Sequence, residues 1–89
     1  MGFEWDPVKS AATQQRRGIG FDRAVEIFTG RMIQWTDDRK DYGEQRVRAV
    51  GESADELLHV VYTRRGEIIR VISARRANHR ERDQWLSYA

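Results

Sequence analysis

The sequence has no cysteine, a single proline and only two histidines. Without thiols the chain forms neither disulfide bonds nor thiolate metal sites, which is compatible with a reducing cytosol. His59 and His79 are too few for the usual ligand set of a structural zinc site. We therefore expect neither a metal nor another cofactor.

Long apolar stretches are also absent. No run approaches the roughly 18 residues of a membrane-spanning helix, and the first ten residues, MGFEWDPVKS, lack the basic and apolar regions of a secretory signal. We expect a cytoplasmic protein with no membrane partner. Hydrophobic residues still make up 39% of the chain, which favours one globular domain over residues 1–89.

Lysine is scarce as well. Among the 16 basic residues only Lys9 and Lys40 are lysines, and the others are arginines, whose planar guanidinium suits phosphates and carboxylates. The formal net charge is just +2, yet the segment from Arg64 to Arg82 contains seven arginines against Glu67 and Glu81. This concentration of charge predicts an anion-binding surface.

Helix signals dominate the first third of the chain. Phe3 to Trp5 is typical of a short extended segment, and Asp6 before a proline predicts a helix over Pro7–Arg17. The glycines of 18–20 end this helix. Apolar residues between Phe21 and Phe28 then recur at the i, i+3, i+4, i+7 spacing of a second helix.

After residue 31 the apolar period changes towards two, which is typical of strands. Four strands are predicted: Met32 to Trp35, Gln45 to Gly51, Leu57 to Arg64 and Ile68 to Arg75. With Arg65 and Gly66 as loop residues, the last two strands form a tight hairpin in which Tyr62 lies opposite Ile69.

Asn78 and Glu81 have the spacing of a capping box, which predicts a last helix through about Tyr88. The element order therefore predicts an α+β fold. In it, two N-terminal helices pack on a four-stranded, mainly antiparallel sheet, and one helix follows the sheet.

Arg70 interrupts an aliphatic strand, so its charge must face water or a partner. If the strand carrying Arg46 and Arg48 pairs with the hairpin, these guanidiniums can converge with Arg70 and Arg75. Such a cluster would stabilise charge on phosphorus-bound oxygens. Strict alternation places Arg75 on the opposite face from Arg70, so convergence requires a twist, a bulge or a strand end between them. The alternative is a solvated face with surface ion pairs.

Two residues are candidate bases. His59 has an ordinary pKa near neutrality, although strand histidines are commonly packed residues. Glu81 either caps the last helix or takes part in chemistry. Arg80 and Arg82 oppose the helix dipole in the first turn, which points to a reason outside folding.

Four segments that cover almost the whole chain carry a family pattern: FEWDPVK (Phe3 to Lys9), RGIGFDRAVEIF (Arg17 to Phe28), YGEQRVRAVG (Tyr42 to Gly51) and VVYTRRGEIIRVISARRANHRER (Val60 to Arg82). Together they resemble the BrnT toxins of bacterial type II toxin–antitoxin systems, which are RelE-like ribonucleases. The resemblance implies a RelE-like fold and a metal-independent endoribonuclease that cleaves RNA and inhibits translation.

The resemblance also implies partners. A cognate BrnA-like antitoxin with a ribbon-helix-helix domain would neutralise the toxin, and operator DNA would be bound only through their complex. From the residues alone, the apolar surface of the last helix near Trp85 and Leu86 is a candidate partner or dimer contact within that complex, with packing on the sheet as the alternative. Carried over by position, the resemblance assigns catalytic roles to Arg46, Arg65, Arg70, Arg75 and Glu81. Six further arginines are predicted to bind RNA: Arg16, Arg17, Arg48, Arg64, Arg76 and Arg80.

Three places depart from the family pattern: Thr13 stands where the family commonly has asparagine, Arg16-Arg17-Gly18 where it has Lys-His-Gly, and Trp85 where it has tyrosine. Arg17 stands where the family commonly has histidine, and a guanidinium does not transfer a proton at neutral pH. Trp85 stands in place of tyrosine and lacks its hydroxyl. These departures predict weakened catalysis and leave two alternatives open, a catalytically weak corepressor that binds the antitoxin and a non-catalytic RNA binder.

Overall fold

A five-stranded sheet forms the middle of the fold, with helices on both of its faces. The computed structural model describes residues 1–88, so Ala89, the end of the predicted domain, lies outside the described residues. The strands are β1 (Gly2–Glu4), β2 (Met32–Asp37), β3 (Arg46–Ser53), β4 (Glu56–Arg65) and β5 (Ile68–Arg76). Their spatial order is β1-β5-β4-β3-β2.

The helices are α1 (Pro7–Arg17), α2 (Phe21–Ala24), which continues as a 3₁₀ segment over Val25–Thr29, and α3 (His79–Ser87). The predicted start of α1 is confirmed, because the Asp6 carboxylate accepts a hydrogen bond from the Val8 amide at 2.9 Å. Gly18 ends α1 with a φ of 75°, a left-handed conformation that favours glycine. Across residues 1–88, no helix has the length and apolar character needed to cross a membrane.

The α+β class is confirmed, but the predicted four-stranded sheet is wrong. The extended segment at the N-terminus is a fifth strand, β1, which pairs in parallel with β5. The sheet is therefore mixed, and it does not match the predicted RelE-like arrangement in detail. A three-residue strand has too few residues to display a period of two, and its partner, Ile68–Arg70, is distant in the sequence.

The hairpin between β4 and β5 exists, but its predicted register is wrong. Gly66, with a φ of 64°, and Glu67 form the loop, so that Arg65 pairs with Ile68. Tyr62 consequently lies opposite Val71. Because the error is two residues, each side chain near the turn keeps the face of the sheet that alternation predicted.

A β-bulge interrupts β5. Pairing with consecutive residues of β4 passes from Val71 to Ser73, which leaves Ile72 as an extra residue. The bulge returns Arg75 to the face that carries Arg70, and the irregularity that their convergence required is thus confirmed.

The two faces of the sheet have separate apolar cores. One face packs against α2 and the 3₁₀ segment through Phe21, Ala24 and Ile27. On the other face, Trp85 of α3 packs with Ile33 and Val50. Helix α3 therefore begins over the sheet face that carries Arg75.

Candidate anion-binding site

A cleft of about 420 Å³ lies between the sheet and the start of α3. Its sheet side consists of side chains from β2, the following loop, β3 and β5: Trp35, Arg39, Arg48 and Arg75. Its helix side consists of residues from the N-cap and the first two turns of α3: Asn78, Arg80, Glu81 and Gln84. Four arginines thus face a cleft with one carboxylate in its lining.

Glu81 fixes the guanidinium of Arg75. Its two carboxylate oxygens accept hydrogen bonds from Nη1 and Nη2 of Arg75, each at 2.8 Å. Oε1 also accepts from the Asn78 amide at 2.9 Å, and the Asn78 side chain accepts from the Glu81 amide at 2.9 Å. The predicted capping box is confirmed, and it connects the start of α3 directly to Arg75.

The Glu81 carboxylate remains ionised. Burial by itself raises its pKa, since the residue is only 3% exposed, but the hydrogen bonds from Arg75 and the Asn78 backbone outweigh burial and lower the pKa to about 2. A carboxylate with such a pKa is a weak proton acceptor at neutral pH. The geometry therefore gives Glu81 a positioning role.

His59 lies beneath this ion pair. Its Nε2 is 3.7 Å from Glu81 Oε2 and accepts a hydrogen bond from Arg48 Nε at 3.3 Å. Burial, followed by the charge of Arg75, lowers the His59 pKa to about 4, so the imidazole is neutral at physiological pH. With Nε2 as acceptor the proton is on Nδ1, which is buried and without a hydrogen-bond partner among residues 1–88.

Arg48 connects the charged centre to an aromatic wall. Its Nη2 is 3.9 Å from Glu81 Oε2, and its Cζ is 5.4 Å from the centroid of the Trp35 ring. The two residues are direct cross-strand neighbours in β2 and β3. The condition for convergence is met in this part of the sheet, because β3, the strand that carries Arg48, pairs with β4 of the hairpin.

Arg39 is held at the rim of the cleft by a buried carboxylate. Its Nε and Nη2 donate to Asp37 at 2.7 Å and 2.9 Å. These hydrogen bonds lower the Asp37 pKa to about 2 despite burial. Sequence reasoning missed Arg39 because it lies in a polar connection without regular period.

Three of the predicted catalytic arginines share the sheet face of the cleft but lie outside its lining. Arg70 forms an ion pair with Glu4 of β1 at 3.4 Å. Arg46 and Arg65 both approach Glu44, at 3.3 Å and 3.8 Å. The structure thus brings Arg75 and Glu81 together and leaves these three along the open part of the face.

The predicted RNA-binding arginines divide between the two sides of the sheet. Arg48 and Arg80 line the cleft, and Arg80 is exposed, with no ion pair among residues 1–88. Arg17 donates to the Ala74 carbonyl at 2.7 Å, and Arg76 donates to the Arg17 carbonyl and to Glu56. These last two join α1 to β5.

Arg64 and Arg16 are exposed outside the cleft. Arg64 lies two residues after Tyr62 and therefore on the same face of β4, the face that α2 covers. Its Cζ is 5.9 Å from the centroid of the Tyr62 ring. Arg16 lies in the last turn of α1, where a cation stabilises the helix dipole.

The departures from the family pattern at Arg17 and Trp85 also lie outside the cleft lining. Arg17 makes the backbone contact with β5 described above. Trp85 is only 7% exposed, and its ring stacks under the Arg31 guanidinium at 3.7 Å. Packing therefore explains Trp85.

Sequence reasoning missed Trp35 and Gln84 as cleft residues. Alternation in β2 does place Trp35 on one face with Ile33. Its position beside Arg48, however, depends on the pairing of β2 with β3, which the sequence of β2 alone does not reveal. Gln84 is three residues after Glu81, a spacing that puts both on one side of a helix. Within residues 1–88 no group of three histidine, aspartate or glutamate side chains is arranged to hold a metal ion.

Comparison with known proteins agrees with the resemblance found in the sequence. No curated protein matches the chain. The family model described as "Ribonuclease toxin, BrnT, of type II toxin-antitoxin system" matches residues 5–81, which include every residue that lines the cleft except Gln84. The chain therefore belongs to the BrnT family of type II ribonuclease toxins.

Proposed function

We propose that the protein is an endoribonuclease toxin that binds the RNA backbone in the arginine-lined cleft. One observation carries the proposal: four arginines converge on a cleft whose one lining carboxylate is already neutralised by Arg75. The cleft keeps an excess of positive charge, and such a site attracts phosphodiesters.

Arg75 would stabilise the reacting phosphate. Nη1 donates to Glu81 and, at 3.3 Å, to the Arg76 carbonyl, whereas Nη2 donates one hydrogen to Glu81 and keeps its second hydrogen for another acceptor. Glu81 thus orients the guanidinium before the substrate arrives, and the charge that develops on phosphorus-bound oxygens meets a fixed donor. Arg48 would contribute a second cation from the neighbouring strand β3.

The proposed reaction is an internal transfer at phosphorus. The 2′-oxygen of one nucleotide forms a bond to the adjacent phosphorus, and the bond from phosphorus to the 5′-oxygen of the next nucleotide breaks. The 2′-hydroxyl proton passes to water, and the leaving 5′-oxygen takes a proton from water. The products are a 2′,3′-cyclic phosphate and a 5′-hydroxyl, and no metal takes part.

The arginines outside the cleft would guide the RNA. Arg46, Arg65 and Arg70 lie on the same sheet face, their side chains are partly exposed, and each retains donors beyond its single ion pair. We propose that they contact flanking phosphates and that Arg75 contacts the scissile one.

The test is purified protein incubated with a single-stranded RNA in EDTA. We expect fragments that end in 2′,3′-cyclic phosphate and no cleavage when the 2′-hydroxyls are replaced by hydrogen. Removing the Arg75 side chain would leave the buried Glu81 carboxylate without its main partner, so Arg75→Lys is the better first variant. Lysine keeps the positive charge but cannot form the bidentate pair, and we expect the cleavage rate to fall at least tenfold. Cleavage that stops in EDTA, or that Arg75→Lys leaves unchanged, contradicts the proposal.

A second function has an observation in its favour. Neither Glu81, with its low pKa, nor the buried, neutral His59 offers a free and effective base. This favours a catalytically weak toxin that acts mainly as a corepressor with its antitoxin. Expression of the chain alone distinguishes the two, since a weak enzyme should neither arrest growth nor fragment cellular RNA.

The finer identity of the partner is also a proposal. A type II family implies an antitoxin, and the resemblance supports a BrnA-like antitoxin with a ribbon-helix-helix domain. Coexpression with the neighbouring gene should restore growth, and only the complex should shift operator DNA in a gel. Operator binding by the toxin alone would contradict this assignment.

A further inference from the structure

Trp35 forms an aromatic wall beside the charged centre of the cleft. It is a half-buried β2 residue whose exposed part belongs to the cleft lining, while its inner part packs on the Ile33, Val50 and Trp85 cluster. Packing on that cluster holds the indole in place without a ligand. A rigid ring at the wall of a basic cleft suits the π-face of a nucleobase.

The contacts run continuously from this ring to the proposed phosphate site. Arg48 is 5.4 Å from the Trp35 centroid and 3.9 Å from Glu81, and Glu81 holds Arg75. The aromatic and the cationic parts are therefore adjoining halves of one cleft. A nucleotide has the same two halves, an aromatic base and an anionic phosphate.

The cleft is the size of a small ligand. Its volume of about 420 Å³ lies within the range of small-molecule sites, roughly 300–1,000 Å³. Opposite the sheet, the lining includes the side-chain amide of the exposed Gln84 and the NH₂ group of Asn78, whose oxygen already caps α3; such groups suit the polar edge of a base. A paired base in a duplex is stacked on both faces and hydrogen-bonded at its pairing edge. Neither its face nor that edge is therefore free to contact the cleft.

We propose that the cleft takes one unpaired nucleotide, with its base stacked on Trp35 and its phosphate at Arg48 and Arg75. The substrate class is single-stranded RNA from which one base is turned outwards, and paired RNA is excluded. This inference rests on the proposed ribonuclease function, but binding tests it separately from cleavage.

The probe is a 2′-O-methylated single-stranded RNA oligonucleotide, which cannot undergo internal attack by its 2′-oxygen. A hairpin with the same residues in base pairs is the matched ligand. We expect the single strand to bind the parent protein at least tenfold more tightly than the hairpin stem and to quench tryptophan fluorescence. Trp35→Phe should retain binding, because phenylalanine also stacks on a base. It should lose most of the quenching, because the remaining fluorescence comes from Trp5 and Trp85, which lie outside the cleft lining.

Trp35→Leu is the decisive variant because leucine keeps apolar packing but has no ring. Stacking of one base is worth about 1–3 kcal/mol, so we expect a 5- to 150-fold loss of affinity for the single strand and no change for the stem. Tyr88→Ala is the control, an aromatic residue that is 65% exposed and outside the cleft lining, and it should bind like the parent. Thermal unfolding of each variant verifies that it is folded.

Three results would overturn the inference: equal affinity for single strand and stem, no effect of Trp35→Leu in a folded variant, or binding only of an antitoxin by the cleft. Failure of the proposed function looks different. In that case the single strand still binds and quenches Trp35, but unmodified RNA is not cleaved.

Discussion

At the scale of single residues, Arg75 has two roles that an alanine substitution does not separate. It would contact the phosphate, and it also neutralises the buried carboxylate of Glu81. Any loss of activity in Arg75→Ala therefore includes the cost of a buried carboxylate that has lost its main donor.

We predict that Arg75→Ala lowers the free energy of unfolding by about 2–4 kcal/mol, because breaking a buried pair is costly even when one partner is partly exposed. The double variant Arg75→Ala with Glu81→Gln should recover part of this loss, since a neutral amide has a smaller desolvation cost. Urea denaturation at pH 7.5 measures both. A double variant that is less stable than Arg75→Ala would show that the carboxylate has other essential partners.

The buried His59 predicts a pH dependence of stability. Its pKa is near 4 when folded against the usual 6.5, so between these values the unfolded chain binds more protons and stability falls as the pH is lowered. From pH 7.5 to pH 5.0 we expect a loss of about 2 kcal/mol from this residue. Glu81 adds its loss only below its ordinary pKa of 4.5, because its pKa is depressed.

The measurement is urea denaturation at the two pH values with His59→Gln as control. The glutamine variant should lose markedly less stability between pH 7.5 and 5.0 than the parent. Equal losses in the two proteins would assign the pH dependence to other groups.

Arg80 offers a test of RNA binding that leaves the fold intact. It is exposed in the first turn of α3 and lines the cleft, whereas Arg82 is exposed in the same turn and does not. In both positions a change to glutamate replaces a cation near the start of the helix by an anion, which the helix dipole favours. We expect Arg80→Glu to weaken binding of single-stranded RNA at least tenfold and Arg82→Glu to change it less than threefold, in fluorescence anisotropy at fixed salt. Similar losses of affinity in the two variants would indicate that RNA responds to the overall positive charge of the protein and not to a contact in the cleft.

Residue spacing was sufficient to predict part of this site. Asn78 and Glu81 have a capping-box spacing, and the capping box is local, so the sequence revealed it. The partnership of Arg75 with Glu81 was not visible, because it depends on the bulge at Ile72. Arg39 and Trp35 were missed because their relevance depends on pairing between strands distant in sequence.

At the scale of elements, the β3–β4 turn carries a conformational cost. Ala54 and Asp55 have φ of 48° and 64°, and neither is glycine. This is the pattern of a type I′ hairpin turn, which favours Asn-Gly. A substituted turn should therefore be more stable than the natural one.

We predict that Ala54→Asn with Asp55→Gly raises the free energy of unfolding by about 1 kcal/mol, because both residues then adopt positive φ at low cost. Thermal and urea unfolding measure the gain. Ala54→Val is the opposing control: its β-branched side chain disfavours positive φ, and it should destabilise the protein. If the Asn-Gly turn gives no gain, the strands and not the loop determine this hairpin.

Elements with strong local signals were predicted and those with remote partners were not. Helix α1 begins at an Asp-Pro pair and ends at a glycine, so its bounds followed from the sequence. Strand β1 is defined by its neighbour β5, which no local pattern reveals. The hairpin register failed by two residues because the loop is Gly66-Glu67, one position later than expected.

At the scale of the whole molecule, the sheet separates two sets of arginines. Arg70 and Arg75 face the cleft side, whereas Arg64 and Arg76 face the side covered by α2. The sequence showed one basic cluster, and the fold divides it by alternation and one bulge. If the protein binds RNA as proposed, a single strand that follows the cleft side meets only one of these sets.

Salt dependence tests this division. Each neutralised phosphate of a single strand contributes about −0.7 to the slope of log K against log salt. Arg70→Gln should reduce the magnitude of the slope by about 0.7, and Arg64→Gln should leave it unchanged. A reduced slope with Arg64→Gln would extend the RNA path around the hairpin edge and support the RNA-binding role predicted for Arg64.

The bulge in β5 takes up one residue of the spacing between two arginines. Arg70 and Arg75 are five positions apart, so a regular ladder that kept Ile72 in step would point them to opposite layers; the bulged Ile72 makes the spacing act as four. A chain that lost Ile72 would reach the same facing without a bulge. A chain that kept Ile72 but paired it regularly would have the same composition, yet it would turn Arg75 into the apolar core and leave Glu81 capping a helix over an empty cleft.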